Sequence, residues 1–243
     1  MEVLGIDIGG TGMKAAIVDL EKGEFISKRK RFKTPQPATP EAMVKTILKL
    51  QEHFLWTGKI GCGFPSAIVN GIVKTASNID KSWIGQPIND LISKATGCPA
   101  SVMNDVDVAG LAEMRYGAGK NYQGTVLMIA VGTGIGSALF HKQMLIPNTE
   151  LGHIQLKGDI AEAYAANSVR ENENLDWETW GKRLNLYLLE VNKLFYPELI
   201  ILGGGVSKRF SKYKKYIDPK LNIVPAALKN HAGIIGAAGQ LLS

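Results

Sequence analysis

An apolar run, Val3-Leu-Gly-Ile-Asp-Ile8, breaks at Gly9-Gly-Thr-Gly12 and resumes at once as Met13-Lys-Ala-Ala-Ile-Val18. Two strands joined this closely must be antiparallel, because a parallel return needs a long crossover. The glycine turn therefore leads into a strand and not into a helix. That disfavours a strand-GxGxxG-helix dinucleotide unit and a GxxxxGK[ST] loop, neither of which any glycine turn of this chain fits.

The same pattern opens the second half. Gly124-Thr-Val-Leu-Met-Ile-Ala-Val131 runs into Gly132-Thr-Gly-Ile-Gly136 and on through Phe140. Sliding Thr11 onto Thr133 places Gly10 on Gly132, Gly12 on Gly134 and Ala16 on Ala138, a shift of about half the chain, so the halves are read as related. Asp7 then falls on Ile129, and a carboxylate is kept in only one copy. A third turn, Gly203-Gly-Gly-Val-Ser207, follows the short apolar run Leu199-Ile-Ile-Leu202. Glycine lets backbone amides approach phosphate oxygens, although any tight turn can need glycine for geometry alone. Three such turns at strand ends favour a phosphate site.

Between these landmarks the pattern predicts a third strand over 24–33 and a helix capped by Thr39 with Pro40 at its first position. Strands are expected over 59–64 and 100–104, with helices over 89–95 and 106–116. Asp159 is read as the cap of a helix reaching Arg170, and Asp176 as the cap of a longer one stopped by Pro197. That longer helix carries Trp177, Trp180, Leu184, Leu188, Val191 and Phe195 at helical spacing, a stripe suited to core or to a dimer face. A small-residue helix closes the chain over 232–242.

With 243 residues, 45% of them hydrophobic, the composition is that of a globular protein. No apolar run approaches the roughly 20 residues that span a bilayer, so no membrane partner is expected. The first residues offer no basic, cleavable leader, and a cytoplasmic protein is expected. Cys62 and Cys98 are too few for a disulfide framework or a zinc cluster and are read as reduced core residues. The net charge of +6 suits a polyanionic partner but is common on plain enzymes.

Several polar residues stand where chemistry could use them. Asp7 lies inside an apolar strand at the mouth of the first turn, where a carboxylate needs a cation or hydrogen-bond donors. Magnesium, held by one or two carboxylates plus phosphates, would explain it, and so would the amides of its own turn. Asn104-Asp105 ends a strand and starts a helix, the place where open α/β sheets bind ligands. Either residue could cap that helix. Alternatively Asp105 is a general base that takes the proton of an attacking hydroxyl in phosphoryl transfer. Glu150, His153 and Glu162 offer the mixed donors and acceptors that neighbouring sugar hydroxyls require. Of two basic clusters, Lys28-Arg-Lys-Arg31 with Lys33 reads as a solvated face. The other, Lys208-Arg209 with Lys212, Lys214 and Lys215, follows the third turn and could extend a phosphate site.

Taken together, Asp7-Ile-Gly-Gly-Thr11, Asn104-Asp105, Gly132-Thr-Gly-Ile-Gly136, Glu150-Leu-Gly-His153 and Gly203-Gly-Gly-Val-Ser207 resemble the ROK sugar kinases of the hexokinase and actin-like group. The loops Thr34-Pro-Gln-Pro-Ala-Thr-Pro40, Ala76 to Gly85, Tyr116-Gly-Ala-Gly-Lys120 and Pro147 to His153 look more narrowly like the polyphosphate glucokinase branch. The resemblance implies an α/β protein of two RNase H-like, actin-like ATPase lobes around a central active-site cleft. One lobe would be 1–105 plus 232–243, the other 106–231. It implies that glucose is held by Asn78, Asn104, Asp105, Glu150, His153 and Glu162. Phosphates would lie on Gly9, Gly10, Thr11, Lys14, Thr133, Gly134, Gly204 and Gly205, with Asp7 acting on magnesium directly or through water. A homodimer is implied, with no nucleic-acid partner. Two departures matter. No cysteine follows Cys98, so the family's Cys-rich zinc motif is missing and no structural zinc is expected. Ser66 stands where glycine is usual near the sugar.

The expected reaction is transfer of a phosphoryl group from polyphosphate or ATP to O6 of glucose, with Asp105 as base. Rival readings are a kinase of the same fold for mannose or an N-acyl hexosamine, and a non-enzymatic actin-like nucleotide switch.

Overall fold

The computed structural model describes residues 1–77 and 79–242, so Asn78 lies outside the described residues. The chain divides into two compact units, Met1–Ala112 with Asn230–Ser243, and Glu113–Lys229. No described helix is long and apolar enough to cross a membrane.

In the first unit β1 (Glu2–Gly9) pairs antiparallel with β2 (Gly12–Asp19), Gly9 opposite Gly12. Beside β2 lie β3 (Glu24–Phe25) and β4 (Lys30–Phe32). Helix α1 (Pro40–His53) begins where the Thr39 side chain accepts from the Ala42 amide, with Pro40 at its start. Next come β5 (Ile60–Phe64), the small hairpin β6 (Ile68–Val69) and β7 (Ile72–Val73), α2 (Ile88–Thr96), β8 (Ala100–Asn104) and α3 (Asp105–Tyr116). The sheet runs β3-β2-β1-β5-β8, with β5 and β8 parallel to their neighbours. Period-two alternation sends Leu4, Ile6, Ile8, Met13 and Ala15 into a core with Met43, Ile47, Phe64 and Trp83. The opposite face of β1 carries Gly5 and Asp7.

The second unit repeats the plan. β9 (Thr125–Val131) and β10 (Ile135–His141) form the antiparallel pair, followed by β11 (Met144–Ile146) and the small hairpin β12 (Gln155–Leu156) and β13 (Asp159–Ile160). Then come α4 (Ala161–Ala165), α5 (Asn167–Asn172), α6 (Trp177–Phe195), β14 (Leu199–Gly203), α7 (Phe210–Tyr213) and β15 (Ile223–Pro225). The sheet order β11-β10-β9-β14-β15 follows the same path as β3-β2-β1-β5-β8, and β4 beside β2 is the first unit's additional strand. The copies differ at the turn. Gly9 pairs with Gly12 across two loop residues, whereas Val131 pairs with Ile135 across three. Asp176 caps α6 by accepting from the Thr179 amide at 2.7 Å, and α6 buries Trp180, Leu184, Tyr187, Leu188 and Val191. Of the expected aromatic stripe, Trp180 is fully buried and Trp177 packs at the core's edge.

The chain returns to the first unit as α8 (Ala232–Gly239), which lies on β1 and β5. Only small residues allow that approach. A Cβ at Gly5 would stand 2.2 Å from the Ile234 carbonyl oxygen, one at Gly61 1.8 Å from that of Ala237, and one at Gly236 1.6 Å from that of Val108.

Two expected elements differ. The strand read over 24–33 is interrupted because the Ser27 hydroxyl accepts from the Ile17 amide at 2.9 Å, taking a ladder donor of β2. Asp159 caps no helix. It belongs to β13, and the helix begins at Ala161 and breaks at Ala166, where the Trp180 indole draws the Ala165 and Ala166 carbonyls at 3.1 and 3.2 Å.

Candidate active site

In the first unit, β1 and β2 present Asp7 and Lys14 as a direct cross-strand pair, and Lys14 Nζ donates to Asp7 Oδ2 at 2.9 Å. Asp7 also packs against the first turn of α8, since a Cβ at Gly233 would stand 2.9 Å from its Cγ. A helix N-terminus favours a carboxylate there. On the next strand Asp7 faces Gly63, and a Cβ at Gly63 would come within 3.5 Å of Asp105 Cα. Glycine at 63 thus lets the start of α3 settle over the sheet beside Asp7.

Asn104 is the cap of α3. Its Oδ1 accepts from the amides of Val106 and Asp107 at 2.8 and 3.1 Å, and its Nδ2 donates to the Ser66 carbonyl at 3.3 Å. Ser66 is buried, with its hydroxyl on the Thr75 carbonyl at 2.7 Å, so the departure from glycine is absorbed by the next loop. The capping duty falls on Asn104, which frees the Asp105 carboxyl. Burial first, then the charge of Asp7, push that carboxyl up to about 7, while the Val106 amide opposes the shift. Asp105 keeps partial solvent access, and its ionisation lies where a general base works well near neutral pH.

The first turn is held from outside by two side chains. Thr34, buried, donates to the Gly9 carbonyl, and the Arg31 guanidinium donates to the Thr11 carbonyl at 3.1 Å. Neither stood out as functional in the sequence.

In the second unit Glu162 Oε2 accepts from the Ile135 amide at 3.1 Å and Glu162 Oε1 lies 3.7 Å from His153 Nε2. Burial raises the Glu150 carboxyl, His153 lowers it and Glu162 raises it, so the three side chains form one electrostatic group. Gly152 lets this stretch press onto β10, where a Cβ would meet the Ile135 carbonyl oxygen at 2.1 Å. Ser137, buried, fastens it by donating to the Thr149 carbonyl at 2.7 Å and accepting from the Leu151 amide at 3.0 Å. Ser168 at the start of α5 donates to the Thr133 carbonyl at 2.5 Å. The third turn lies against the end of β9, because a Cβ at Gly204 would stand 2.2 Å from the Val131 carbonyl oxygen.

The glycines separate into two kinds. Gly204 is demanded by packing against the Val131 backbone and by its φ of +76°, and at Gly134 a Cβ would stand 2.5 Å from Glu162 Oε2, so that side chain would have to shift. Gly10, Gly132 and Gly205, one in each turn, have no positive φ and would point a Cβ at nothing within 4 Å among the described residues. Neither strain nor packing requires glycine there. The backbone of each turn is left open at that point, as a ligand approaching its amides would need.

Among the described residues no three His, Cys, Asp or Glu converge on a point, and Cys62 and Cys98 are free thiols. Asp7 with Asp105 beside it fits a cation that takes one or two carboxylates and completes its shell with water and phosphate oxygens, as magnesium does.

Residues 3–168 match the ROK family. The chain is 46% identical over 235 residues to the polyphosphate glucokinase of Mycobacterium tuberculosis (strain ATCC 25618 / H37Rv), covering 96% of this chain and 89% of that one. Among solved structures, the inorganic polyphosphate/ATP-glucomannokinase of Arthrobacter sp. strain KM superposes with a TM-score of 0.95 at 44% identity, covering 99% and 98% of the two chains. A ROK family glucokinase from Streptomyces griseus, solved with glucose and AMPPNP, shares the fold at 24% identity and a TM-score of 0.83, over 99% of each chain. The chain belongs to the ROK family. Its fold is the actin-like, two-lobed α/β fold of the ROK sugar kinases.

Proposed function

We propose that the protein is a glucokinase that moves the terminal phosphoryl group of polyphosphate or ATP onto O6 of glucose. The observation that carries this reading is the position of Asp105, freed from capping by Asn104 and held up to about 7 beside Asp7. Its support outside the chain is the likeness to the mycobacterial and Arthrobacter kinases.

In this mechanism Asp105 accepts the O6 proton as that oxygen attacks the terminal phosphorus, and the bond to the leaving phosphate breaks in line. Phosphoryl transfer asks for positioning and charge stabilisation more than covalent help. The backbone amides at Gly9, Gly10 and Thr11, with Lys14, would receive donor phosphates in the first unit. Thr133, Gly134, Gly204 and Gly205 would do so in the second. Glucose hydroxyls would be met by Asn104, Asp105, Glu150, His153 and Glu162, and Asn78 stays in the set by resemblance alone. Magnesium, when bound, supplies charge neutralisation to the phosphates, and Asp7 would hold it. A homodimer in the cytoplasm belongs to the same reading, supported by family resemblance, and sedimentation at twice the chain mass tests the dimer.

The direct test is the initial rate of glucose 6-phosphate formation with magnesium, polyphosphate and ATP being supplied in separate reactions. Product with either donor is expected. Silence with both, alongside phosphorylation of another hexose, would replace glucose in the reading. Mannose enters first in that panel because the Arthrobacter relative is a glucomannokinase.

A further inference from the structure

We propose that Arg31 is a binding residue for the phosphoryl donor and that it favours polyphosphate over ATP. The inference rests on the polyphosphate reading above and deepens it.

Direct pairing of Asp7 with Lys14 and of Lys14 with Arg31 puts these three residues in one row across β1, β2 and β4. Directly paired residues share a face of the sheet. The row therefore begins at Asp7, beside the proposed base, and runs outward through two cations over about 10 Å, two strand spacings. Alternation sends Phe32 to the other face, where it packs on the core. The Arg31 side chain then leans back over the first turn. A Cβ at Gly12 would meet its Nε at 2.3 Å, and its guanidinium donates to the Thr11 carbonyl at 3.1 Å.

Two like charges directly opposite each other destabilise a sheet. Lys14 is offset by Asp7, but among the described residues no carboxylate lies within ion-pair distance of Arg31. One of its five N–H donors is used on Thr11, and the others remain on an exposed side chain beside a turn whose Gly10 leaves room for a ligand. An anion lying on the turn supplies the missing countercharge. A donor whose reacting end sits at Asp105 and Asp7 meets Lys14 and then Arg31 as it leaves along the row. Polyphosphate keeps its charge along the whole row, whereas ATP brings only three phosphates to the turn before its uncharged nucleoside begins.

The test compares kcat/KM for polyphosphate and for ATP at saturating glucose in the wild type, Arg31→Gln, Arg31→Lys and Lys28→Gln. Lys28 serves as control because it belongs to the same basic run and is exposed. Loss of a charge-assisted contact predicts about a 10-fold to 100-fold fall with polyphosphate in Arg31→Gln. The ATP value should fall about fivefold less than the polyphosphate value, Arg31→Lys should recover part of the loss, and Lys28→Gln should resemble wild type. Equal losses with both donors would reduce Arg31 to a prop for the turn and overturn the proposal. So would no loss at all, or the same selective loss in Lys28→Gln. A wild type that uses ATP but not polyphosphate would overturn the polyphosphate reading itself, and this inference with it.

Discussion

Asp7 on β1 and Asp105 at the start of α3 lie close enough for the charge of one to oppose ionisation of the other. With burial as the larger cause, this holds the Asp105 carboxyl at about 7. A base must be deprotonated to act, so kcat/KM for glucose should rise about tenfold per pH unit below that value and level off above it. A profile that stays flat from pH 5.5 to 8 would remove Asp105 from the proton transfer.

The raised Asp105 value also bears on stability. It lies above the ordinary 3.8, so between about 4 and 7 the folded state binds more protons than the unfolded state. Stability therefore falls as pH rises through that window, and the penalty is complete above it. Asp105→Asn removes the penalty, at most about 1.4 kcal/mol for each pH unit by which folding raises the carboxyl, and less for a partly exposed group. In thermal melts without ligands the variant should exceed wild type in Tm at pH 8, and the two should converge towards pH 4.5. Equal melting at pH 8 would show that ionised Asp105 carries no such strain.

Glu113 is a buried carboxylate that ties two loops of the second unit. Its Oε2 accepts from the amides of Ala118 and Ala227 at 2.9 and 3.1 Å, and its Oε1 from that of Leu228 at 2.7 Å. Glu113→Ala leaves three donors without their acceptor, and a loss of about 3 kcal/mol or more is expected in denaturant unfolding. Glu113→Gln keeps the acceptor oxygen and should fall between the variant and wild type. A Glu113→Ala protein as stable as wild type would mean that water replaces the carboxylate.

Gly236 and Gly10 make opposite predictions. A Cβ at Gly236 would collide with the Val108 carbonyl oxygen at 1.6 Å, a backbone atom that cannot swing aside, so Gly236→Ala should lower Tm or prevent folding. A Cβ at Gly10 meets nothing within 4 Å among the described residues. Gly10→Ala should therefore melt like wild type and raise KM for the phosphoryl donor. An unchanged donor KM would place the phosphates elsewhere.

Much of the architecture was legible because packing rules wrote it. The antiparallel reading of the first turn, Thr39 and Pro40 at the start of α1, Asp176 at the start of α6 and the small residues of α8 all follow from local sequence. The shared sheet order of the two units stood behind the half-length repeat. The misses arose where a side chain from a distant segment took a backbone group. Ser27 interrupts β2's ladder and Trp180 breaks the helix at Ala166, and no periodicity announces either contact.

The candidate site was legible as residue types and not as contacts. The sequence left Asn104 and Asp105 as competing caps, and only the amides of Val106 and Asp107 show that Asn104 does the capping. Glycine counts could not tell Gly204, which packing requires, from Gly10, Gly132 and Gly205, which it does not. Arg31 read as one more solvated cation because its role depends on cross-strand register.

The most direct measurement is the rate of glucose 6-phosphate formation by Asp105→Asn, with magnesium and each donor in turn, alongside the rise in Tm that glucose produces. Loss of a general base predicts a fall of about 10²–10⁴-fold in rate. The glucose-induced rise in Tm should persist, because the native state still binds the sugar. Turnover close to wild type in a folded, glucose-binding variant would contradict the assignment of Asp105 as the base.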